Sequence, residues 1–294
     1  MRSIAIINQK GGVGKTTTAV NLAAALAESG ARVCLMDLDP QSHASLHLGV
    51  SLREQEPSIY DVLTGDAELA DVRRPVADRL WVVPAHLNLA AAEMELAGEV
   101  GRELILRDKL ARDLAREDSP PFDFLLLDCP PSLGVLTLNA LTAVDEVFLP
   151  LQPHFLALHG LSKLLRTIEI VASRLNPTLR LTGVVLCMYE SATRLATEVS
   201  HDVEEFFRQP PSSSPVWRDA HPFATRIRRN IRLAEAPSFG QSILHYAPQS
   251  HGAEDYRQLA REVQEAVESS SFSKDASPTH STPTESAAAG GAAA

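Results

Sequence analysis

Cysteine is scarce in this chain of 294 residues, and this scarcity restricts the metal chemistry available to it. The three cysteines, Cys34, Cys129 and Cys187, each lie within or at the end of an apolar run. None belongs to a C-x-x-C pair, so the spacing gives poor support to a zinc or iron–sulfur site. Buried free thiols in a reducing cytoplasm are the simpler interpretation.

Long apolar runs and aromatic side chains are also lacking. No stretch reaches the roughly 18 apolar residues of a membrane-spanning helix, so none is predicted. The first eight residues resemble a strand rather than a charged leader before an apolar segment, and we expect no secretory signal. Hydrophobic residues make up 45% of the chain but aromatic residues only 5%. Leu, Ala and Val supply the difference, as is typical of helices packed on a parallel sheet.

Positive charge is in deficit, because the formal net charge is −10. This balance argues against indiscriminate nucleic-acid binding by the whole surface. Residues 160–233 are nevertheless positive, with eleven Lys or Arg against seven Asp or Glu. A basic face on an acidic protein is therefore still open.

Short apolar runs alternate with longer helical patterns along the chain. We predict strands at 3–8, 32–37, 80–84, 122–128, 146–151 and 181–187, and helices that include 15–29, 157–175, 192–207 and 253–268. This alternation predicts an α/β fold with a mostly parallel, twisted sheet and helices on both faces. We expect one domain over residues 1–268. The Ser-, Thr-, Pro- and Ala-rich segment 269–294 is predicted to be a disordered tail, and 209–215 a surface loop.

A glycine-rich loop follows the first predicted strand and opens the first helix: Gln9-Lys10-Gly11-Gly12-Val13-Gly14-Lys15-Thr16-Thr17. In this context the glycines let backbone N–H groups converge on phosphate oxygens, and the helix N-terminus adds positive potential. We expect Lys15 to hold the β- and γ-phosphates, the Thr16 hydroxyl to bind Mg²⁺ and Thr17 to reach the α-phosphate. A glycine turn without a ligand fits the Gly-Lys-Thr sequence poorly.

Carboxylates follow two of the buried strands. Asp37 and Asp39 end the second strand, where α/β sheets place their ligand chemistry, although a strand-end aspartate can also cap the next turn. Asp128 ends the strand at 122–128, and a buried carboxylate there requires a cation or hydrogen-bond donors. Coordination of Mg²⁺ through water, as in a Walker B motif, would meet that requirement.

These motifs resemble the ParA and MinD superfamily of phosphate-loop ATPases. The resemblance rests on Lys-Gly-Gly-x-Gly-Lys-Thr at 10–16, Asp-Leu-Asp-Pro-Gln at 37–41, Pro-Pro-Ser-Leu-Gly at 130–134, the segment 149–161 and the segment 229–240. It covers roughly residues 1–265 and implies the phosphate-loop NTPase fold, ATP and Mg²⁺ as cofactors, and an ATP-dependent homodimer. It further implies that Lys10 crosses the dimer interface to the partner's nucleotide, that Asp39 positions the attacking water and that Asp37 supports the Mg²⁺ shell.

The resemblance to ParA also implies nonspecific DNA binding, a ParB-like protein partner and a cytoplasmic, nucleoid-associated location. Arginines in the second half of such proteins contact DNA phosphates without reading bases. The candidates here are Arg194, Arg226, Arg228, Arg229 and Arg232. The family usually has Pro at the position of Arg228 and Arg at that of Ala192, and Arg194 is placed to compensate for the latter. Arg226, Arg228, Arg229 and Arg232 form an arginine cluster. The nearest acids in sequence, Asp219 and Glu235, are too few to neutralise this cluster. The alternative is a run of charges that is simply solvated.

Other readings of the sequence lead to different functions. A MinD-like membrane ATPase would have a basic amphipathic helix at its C-terminus, which the Ser-, Thr- and Ala-rich tail does not supply. A relative of nitrogenase reductase would need cluster-binding cysteines at other positions. A helix-turn-helix module before the phosphate loop is not expected. The cargo, whether chromosome, plasmid or protein assembly, is left open.

Overall fold

The computed structural model describes residues 1–53, 55–154, 161–190, 194–208 and 215–274. Its centre is an eight-stranded sheet. In chain order the strands are β1 (Arg2–Ile6), β2 (Val33–Asp37), β3 (Arg74–Ala77), β4 (Leu80–Val83), β5 (Phe124–Asp128), β6 (Glu146–Leu151), β7 (Arg180–Tyr189) and β8 (His221–Arg228).

The spatial order of the strands is β3-β4-β2-β5-β1-β6-β7-β8, with β1 and β5 near the middle. Every neighbouring pair is parallel except β3 with β4. The prediction of a mostly parallel sheet is therefore confirmed. The two edge strands were not predicted, because β3 is short and contains Pro75, and β8 interleaves its apolar residues with charged and polar ones.

Twelve α-helices among the described residues connect and cover the strands. They are α1 (Lys15–Glu28), α2 (His43–His47), α3 (Ile59–Thr64), α4 (Leu69–Val72), α5 (Leu89–Glu95), α6 (Ile105–Leu114), α7 (Val135–Ala143), α8 (Leu161–Arg174), α9 (Arg194–Arg208), α10 (Ile231–Glu235), α11 (Ile243–Tyr246) and α12 (His251–Lys274). None of the helices in the described part of the chain has the length and apolar character needed to cross a membrane.

The core has two parts, which lie on opposite faces of the sheet. Ile4 and Ile6 contribute to one part, together with apolar residues of α1 and α12, whereas Ala5 and Ile7 contribute to the other. This alternation is the period of two expected of a strand that is buried on both faces. Cys34, Cys129 and Cys187 are all free and buried, as predicted.

Helix α12 extends six residues beyond the boundary expected at residue 268, since it ends at Lys274. Residues 275–294, which make up the rest of the predicted tail, lie outside the described residues. The same is true of residues 157–160 and 192–193, which begin two predicted helices, and of 209–214 in the predicted loop.

Candidate nucleotide site and arginine cluster

Three central strands bring the predicted phosphate loop and carboxylates together at their carboxyl ends, which form one edge of the sheet. In the register of β5 with its two neighbours, Asp128 lies opposite Ile6 of β1 and opposite Asp37 of β2. The loop that joins β1 to α1 starts at this edge. The residues predicted to bind phosphate and Mg²⁺ therefore come together, as the parallel topology requires.

The phosphate loop leaves the first turn of α1 available to an anion. Gly12 and Gly14 have positive φ angles of 75° and 94°, a conformation that glycine adopts without strain. Gly14 is the N-cap residue, and no side chain caps the helix or places an acid in its first turn. The first N–H groups of the helix and its positive dipole end can therefore act on a bound phosphate.

Lys15 is almost fully buried at the start of α1. Its ammonium group donates a hydrogen bond to the Lys10 carbonyl oxygen at 3.2 Å. Burial lowers the pKa of Lys15, while the charges of Asp128 and Asp39 act in the opposite direction. A cation buried in this way gains stability from an anionic ligand, which suits the predicted contact with phosphate.

Lys10, by contrast, is exposed at the rim of the site. Its backbone N–H donates to the Asn8 side chain at 3.0 Å, and its ammonium group contacts Nε2 of His154. Burial and the nearby charge of Lys10 both lower the pKa of His154. No sequence motif pointed to His154, which is 144 positions away from Lys10 along the chain.

Asp128 is fully buried, and neither of its carboxylate oxygens accepts a hydrogen bond in the described part of the chain. Burial raises its pKa well above the ordinary value, and the charges of Asp37 and Asp39 add to this. The Thr16 hydroxyl is near enough to oppose the rise without reaching hydrogen-bond geometry. A buried carboxylate without donors, next to a threonine hydroxyl, is a donor set that fits Mg²⁺ and its water ligands.

Asp37 and Asp39 are engaged differently. Asp37 accepts from the Ser45 backbone N–H at 2.8 Å, from the Ser45 hydroxyl at 2.7 Å and from the Asp39 N–H at 3.2 Å. Burial nevertheless raises the pKa of Asp37 to about 6. Asp39 accepts from the Gln41 N–H at 2.9 Å, so it does cap the following turn. Its charge acts on buried Lys15, which places it beside the phosphate loop.

The described residues contain no group of three or more His, Cys, Asp and Glu side chains arranged to hold a metal ion on their own. A magnesium ion at this edge would need oxygens from Thr16, water and a nucleotide. Such mixed coordination is usual for Mg²⁺ at phosphate sites.

A cavity of about 290 Å³ adjoins the phosphate loop. Gly14 and Thr17 form its side towards the loop, and Met188, Ile231 and Tyr256 are among its other lining residues. Its walls are mainly apolar, as expected of a pocket for a flat organic group. The sequence alone does not reveal this cavity, because the ends of β7 and β8, helix α10 and Tyr256 near the start of α12 build it together.

Behind the cavity, buried side chains connect α1 to β7 and α12. The Thr18 hydroxyl lies 3.3 Å from the Tyr256 hydroxyl and 3.6 Å from the Cys187 sulfur. Cys187 also lies directly beneath Gly14, where a Cβ atom would be 3.4 Å from its sulfur. These contacts fix the start of α1 against the pocket wall.

The arginine cluster differs from the expectation in one respect. The prediction that too few acids are present to neutralise it is wrong, because the fold brings in acids from distant segments. The ion pairs are Arg226 with Glu204 at 2.8 Å, Arg228 with Asp255 at 2.5 Å and Glu254 at 2.6 Å, Arg229 with Glu190 at 2.8 Å, and Arg232 with Glu235 at 2.8 Å.

The pairs differ in strength and exposure. Arg228 makes several hydrogen bonds to Asp255, whose side chain is buried, so this arginine ties β8 to α12. Arg229 and Arg232 are mostly exposed, and ion pairs at such positions are weak. Arg194 lies on α9, is 91% exposed and pairs only one turn away with Glu198.

Comparison with known proteins decides the family. The family model described as an AAA domain matches residues 1–181. The sporulation initiation inhibitor protein Soj of Bacillus subtilis is 45% identical over 88% of this chain and 97% of its own length. The chromosome partitioning protein ParA of Caulobacter vibrioides is 45% identical over 90% of this chain and 94% of its own. The chain belongs to the ParA/Soj family.

Solved structures agree with the fold. A Mycobacterium smegmatis protein described as cobyrinic acid a,c-diamide synthase, with bound ATP analogue and magnesium, is 36% identical. It superposes with a TM-score of 0.76 over 92% of this chain and 97% of its own. The cell division ATPase MinD of Pyrococcus furiosus is 25% identical, with a TM-score of 0.67 over 90% and 99%. The resemblance to ParA inferred from the motifs is thus confirmed.

Proposed function

We propose that this ParA/Soj family member binds ATP and Mg²⁺, dimerises in the ATP-bound state and hydrolyses ATP across the dimer interface. The observation that carries the proposal is the contrast between the two loop lysines. Lys15 is buried beside the uncapped end of α1, where it can act on its own nucleotide, whereas Lys10 is exposed at the rim. A lysine at that rim can reach a nucleotide held by a second copy.

The residues divide the work of hydrolysis between them. Thr16 and, through water, Asp128 would hold Mg²⁺, which when bound neutralises charge on the phosphate oxygens. Lys15 holds the phosphates of its own nucleotide, and Lys10 offsets the charge that develops on the partner's. Asp39 orients the attacking water, while Asp37 fixes the adjoining turn through Ser45 and so supports the Mg²⁺ shell indirectly.

The cavity beside Gly14 and Thr17 is the proposed adenine pocket. It begins where Thr17 is predicted to reach the α-phosphate, and its apolar lining suits a purine ring. Met188 and Ile231 would pack against the base. The solved Mycobacterium smegmatis relative contains an ATP analogue and magnesium, which supports nucleotide as the ligand class.

DNA is the proposed second ligand. The curated relatives are named as chromosome-partitioning proteins, and the exposed arginines Arg194, Arg229 and Arg232 could contact phosphates without reading bases. Arg226 and Arg228 contribute less, since their ion pairs are more buried. In this proposal a ParB-like partner stimulates hydrolysis, and the dimer works on the nucleoid in the cytoplasm to segregate chromosome or plasmid DNA.

The neutralised arginines give a specific reason to keep a second candidate. Ion pairing of four clustered arginines weakens their attraction for phosphate, and this favours a ParA-like ATPase that positions a protein cargo without holding DNA. Both candidates share the same ATP-dependent dimer and differ only in its ligand.

The test measures mass and DNA binding on the same samples. Sedimentation should give a dimer with ATP and Mg²⁺ and mainly a monomer without nucleotide. A random-sequence duplex should bind only with ATP, and binding should weaken steeply between two salt concentrations. The same mass with and without ATP would contradict the proposal that Lys10 acts on the nucleotide of a second copy. A dimer that never binds DNA would favour the protein-cargo candidate.

A further inference from the structure

Arg229 and Glu190 form an ion pair between two segments that also border the proposed adenine pocket. Glu190 directly follows β7, and Arg229 directly follows β8. Their side chains meet at 2.8 Å, and the Arg229 N–H donates to the Tyr189 carbonyl at 3.1 Å. Arg229 is 76% exposed and Glu190 is 44% exposed, so the pair lies at the surface and can open readily.

The pocket side of this contact contains a strained residue. Met188 lines the cavity and has a φ angle of 52°, in the left-handed region that residues with a Cβ atom rarely adopt. It precedes Glu190 by two positions. A ligand that changes the backbone at Met188 would therefore also move the Glu190 carboxylate.

We propose that Glu190 is a latch on DNA binding, released when a nucleotide base fills the pocket. Without nucleotide, Glu190 occupies the Arg229 guanidinium and excludes a DNA phosphate from it. Base binding between Met188 and the Arg229–Ile231 segment separates the two side chains, and Arg229 becomes available. This inference rests on the proposed function, since it adds regulation to the same DNA-binding surface.

The other ion pairs of the cluster do not have this connection. Arg232 pairs with Glu235 three positions away in the same short helix, and neither residue lines the cavity. Arg228 does line it, but its partner Asp255 is buried and binds it through several hydrogen bonds. Arg228 also pairs with exposed Glu254, but the buried Asp255 would still hold its guanidinium if that pair opened. Among the pairs of the described residues, the Arg229–Glu190 pair therefore combines exposure, a residue that directly follows the strained Met188–Tyr189 segment and an arginine with no buried carboxylate partner.

The experiment compares wild type with Glu190→Gln and Glu235→Gln. Each variant removes one negative charge from a partner of an exposed arginine, so their general electrostatic effects match. The affinity for a random-sequence duplex is measured at low salt without nucleotide and with ATP and Mg²⁺. Protein concentrations are chosen so that sedimentation gives equal dimer fractions for all three proteins in each state.

We expect Glu190→Gln to strengthen nucleotide-free binding about 2- to 5-fold, the range that one exposed ion pair can supply, and to change ATP-bound binding much less. The ratio between the two affinities then falls by that factor. Glu235→Gln should shift both affinities equally and leave the ratio unchanged.

Two results would overturn the latch, and they can be told apart. If wild type binds DNA with ATP but Glu190→Gln leaves the ratio unchanged, the latch is wrong and the proposed function stands. If wild type dimerises with ATP but binds no DNA in any nucleotide state, DNA is not a ligand of this protein. The latch proposal is then wrong as well, because it depends on DNA binding.

Discussion

Asp37 and Asp128 lie opposite each other at the ends of two neighbouring parallel strands, yet of the two only Asp37 accepts hydrogen bonds from the part of the chain that the structure describes. Asp37 fixes the start of α2 through Ser45. Asp128 is equally buried and has both oxygens available. Of two carboxylates with similar sequence contexts, one therefore supports the fold and the other is suited to a cation.

This difference predicts opposite effects of two alanine substitutions on the nucleotide-free protein. Asp37→Ala leaves the Ser45 hydroxyl and N–H without their acceptor and should lower the free energy of unfolding by about 1–3 kcal/mol. Asp128→Ala removes a buried carboxylate that has no hydrogen-bond donor among the described residues, and should leave stability unchanged or raise it. Thermal unfolding with and without ATP and Mg²⁺ checks both. The role of Asp128 would be contradicted if its variant kept the full stabilisation by ATP and Mg²⁺.

The two loop lysines should separate nucleotide binding from dimerisation. Lys15→Ala should lose ATP binding, because the buried ammonium next to the phosphates is gone. Lys10→Ala should keep ATP binding and lose the dimer, because only the contribution across the interface is removed. Equilibrium binding of a fluorescent ATP analogue and sedimentation are the measurements. If Lys10→Ala still dimerises like wild type, the exposed lysine acts within its own chain.

Asp39 has two possible contributions, and a pair of variants distinguishes them. Asp39→Asn retains an oxygen that can accept from the Gln41 N–H, whereas Asp39→Ala does not. If the carboxylate positions the water, both variants should bind ATP and lose turnover by about 10²–10⁴-fold. Near-normal turnover of Asp39→Asn in a phosphate-release assay would reduce Asp39 to a turn cap.

The residues predicted to form the nucleotide site do lie together in the fold, because the motifs that mark them are local and follow neighbouring strands. A strand, a glycine loop and a helix follow one another around Lys15, and Asp128 ends a conspicuous apolar run. The arginine pairs were not predictable in this way, since Arg226, Arg228 and Arg229 meet acids that lie 22 to 39 positions away. The cavity proposed to hold adenine was missed for the same reason. Met188, Ile231 and Tyr256 come from separate elements whose proximity is a property of the fold.

The DNA prediction needs a control for net charge, because the whole chain is acidic. Arg229→Glu with Arg232→Glu should abolish ATP-dependent binding to a random-sequence duplex while the ATP-dependent dimer persists. Arg107→Glu with Arg116→Glu changes the net charge equally at two exposed arginines outside the cluster, which pair with acids one and two positions away, and should reduce binding only slightly. Equal losses in the two double variants would mean that overall charge, rather than this surface, controls DNA affinity.

His47 should make the folded protein sensitive to mild acid. Its side chain is 2% exposed, and Nε2 has no partner among the described residues. Burial lowers its pKa from 6.5 to about 4, with the Gln241 backbone acting in the opposite direction. Between these two pH values the unfolded chain binds a proton that the folded chain does not, so the free energy of unfolding falls as the pH drops.

The loss attributable to His47 should approach about 3 kcal/mol at pH 4, which is the upper limit set by this shift. The raised pKa of Asp37 has the opposite effect on the free energy of unfolding, and Asp37 titrates in an overlapping pH range. The pH dependence of wild-type stability alone therefore does not isolate the contribution of His47. Comparison with His47→Leu isolates the histidine, because Asp37 is common to both proteins. Chemical denaturation of the nucleotide-free proteins from pH 7.5 to 4 should show wild type losing stability relative to His47→Leu, mainly below about pH 6.5. Parallel curves over the whole range would mean that His47 is protonated in the folded state, and that the solvent reaches this side chain more freely than its burial implies.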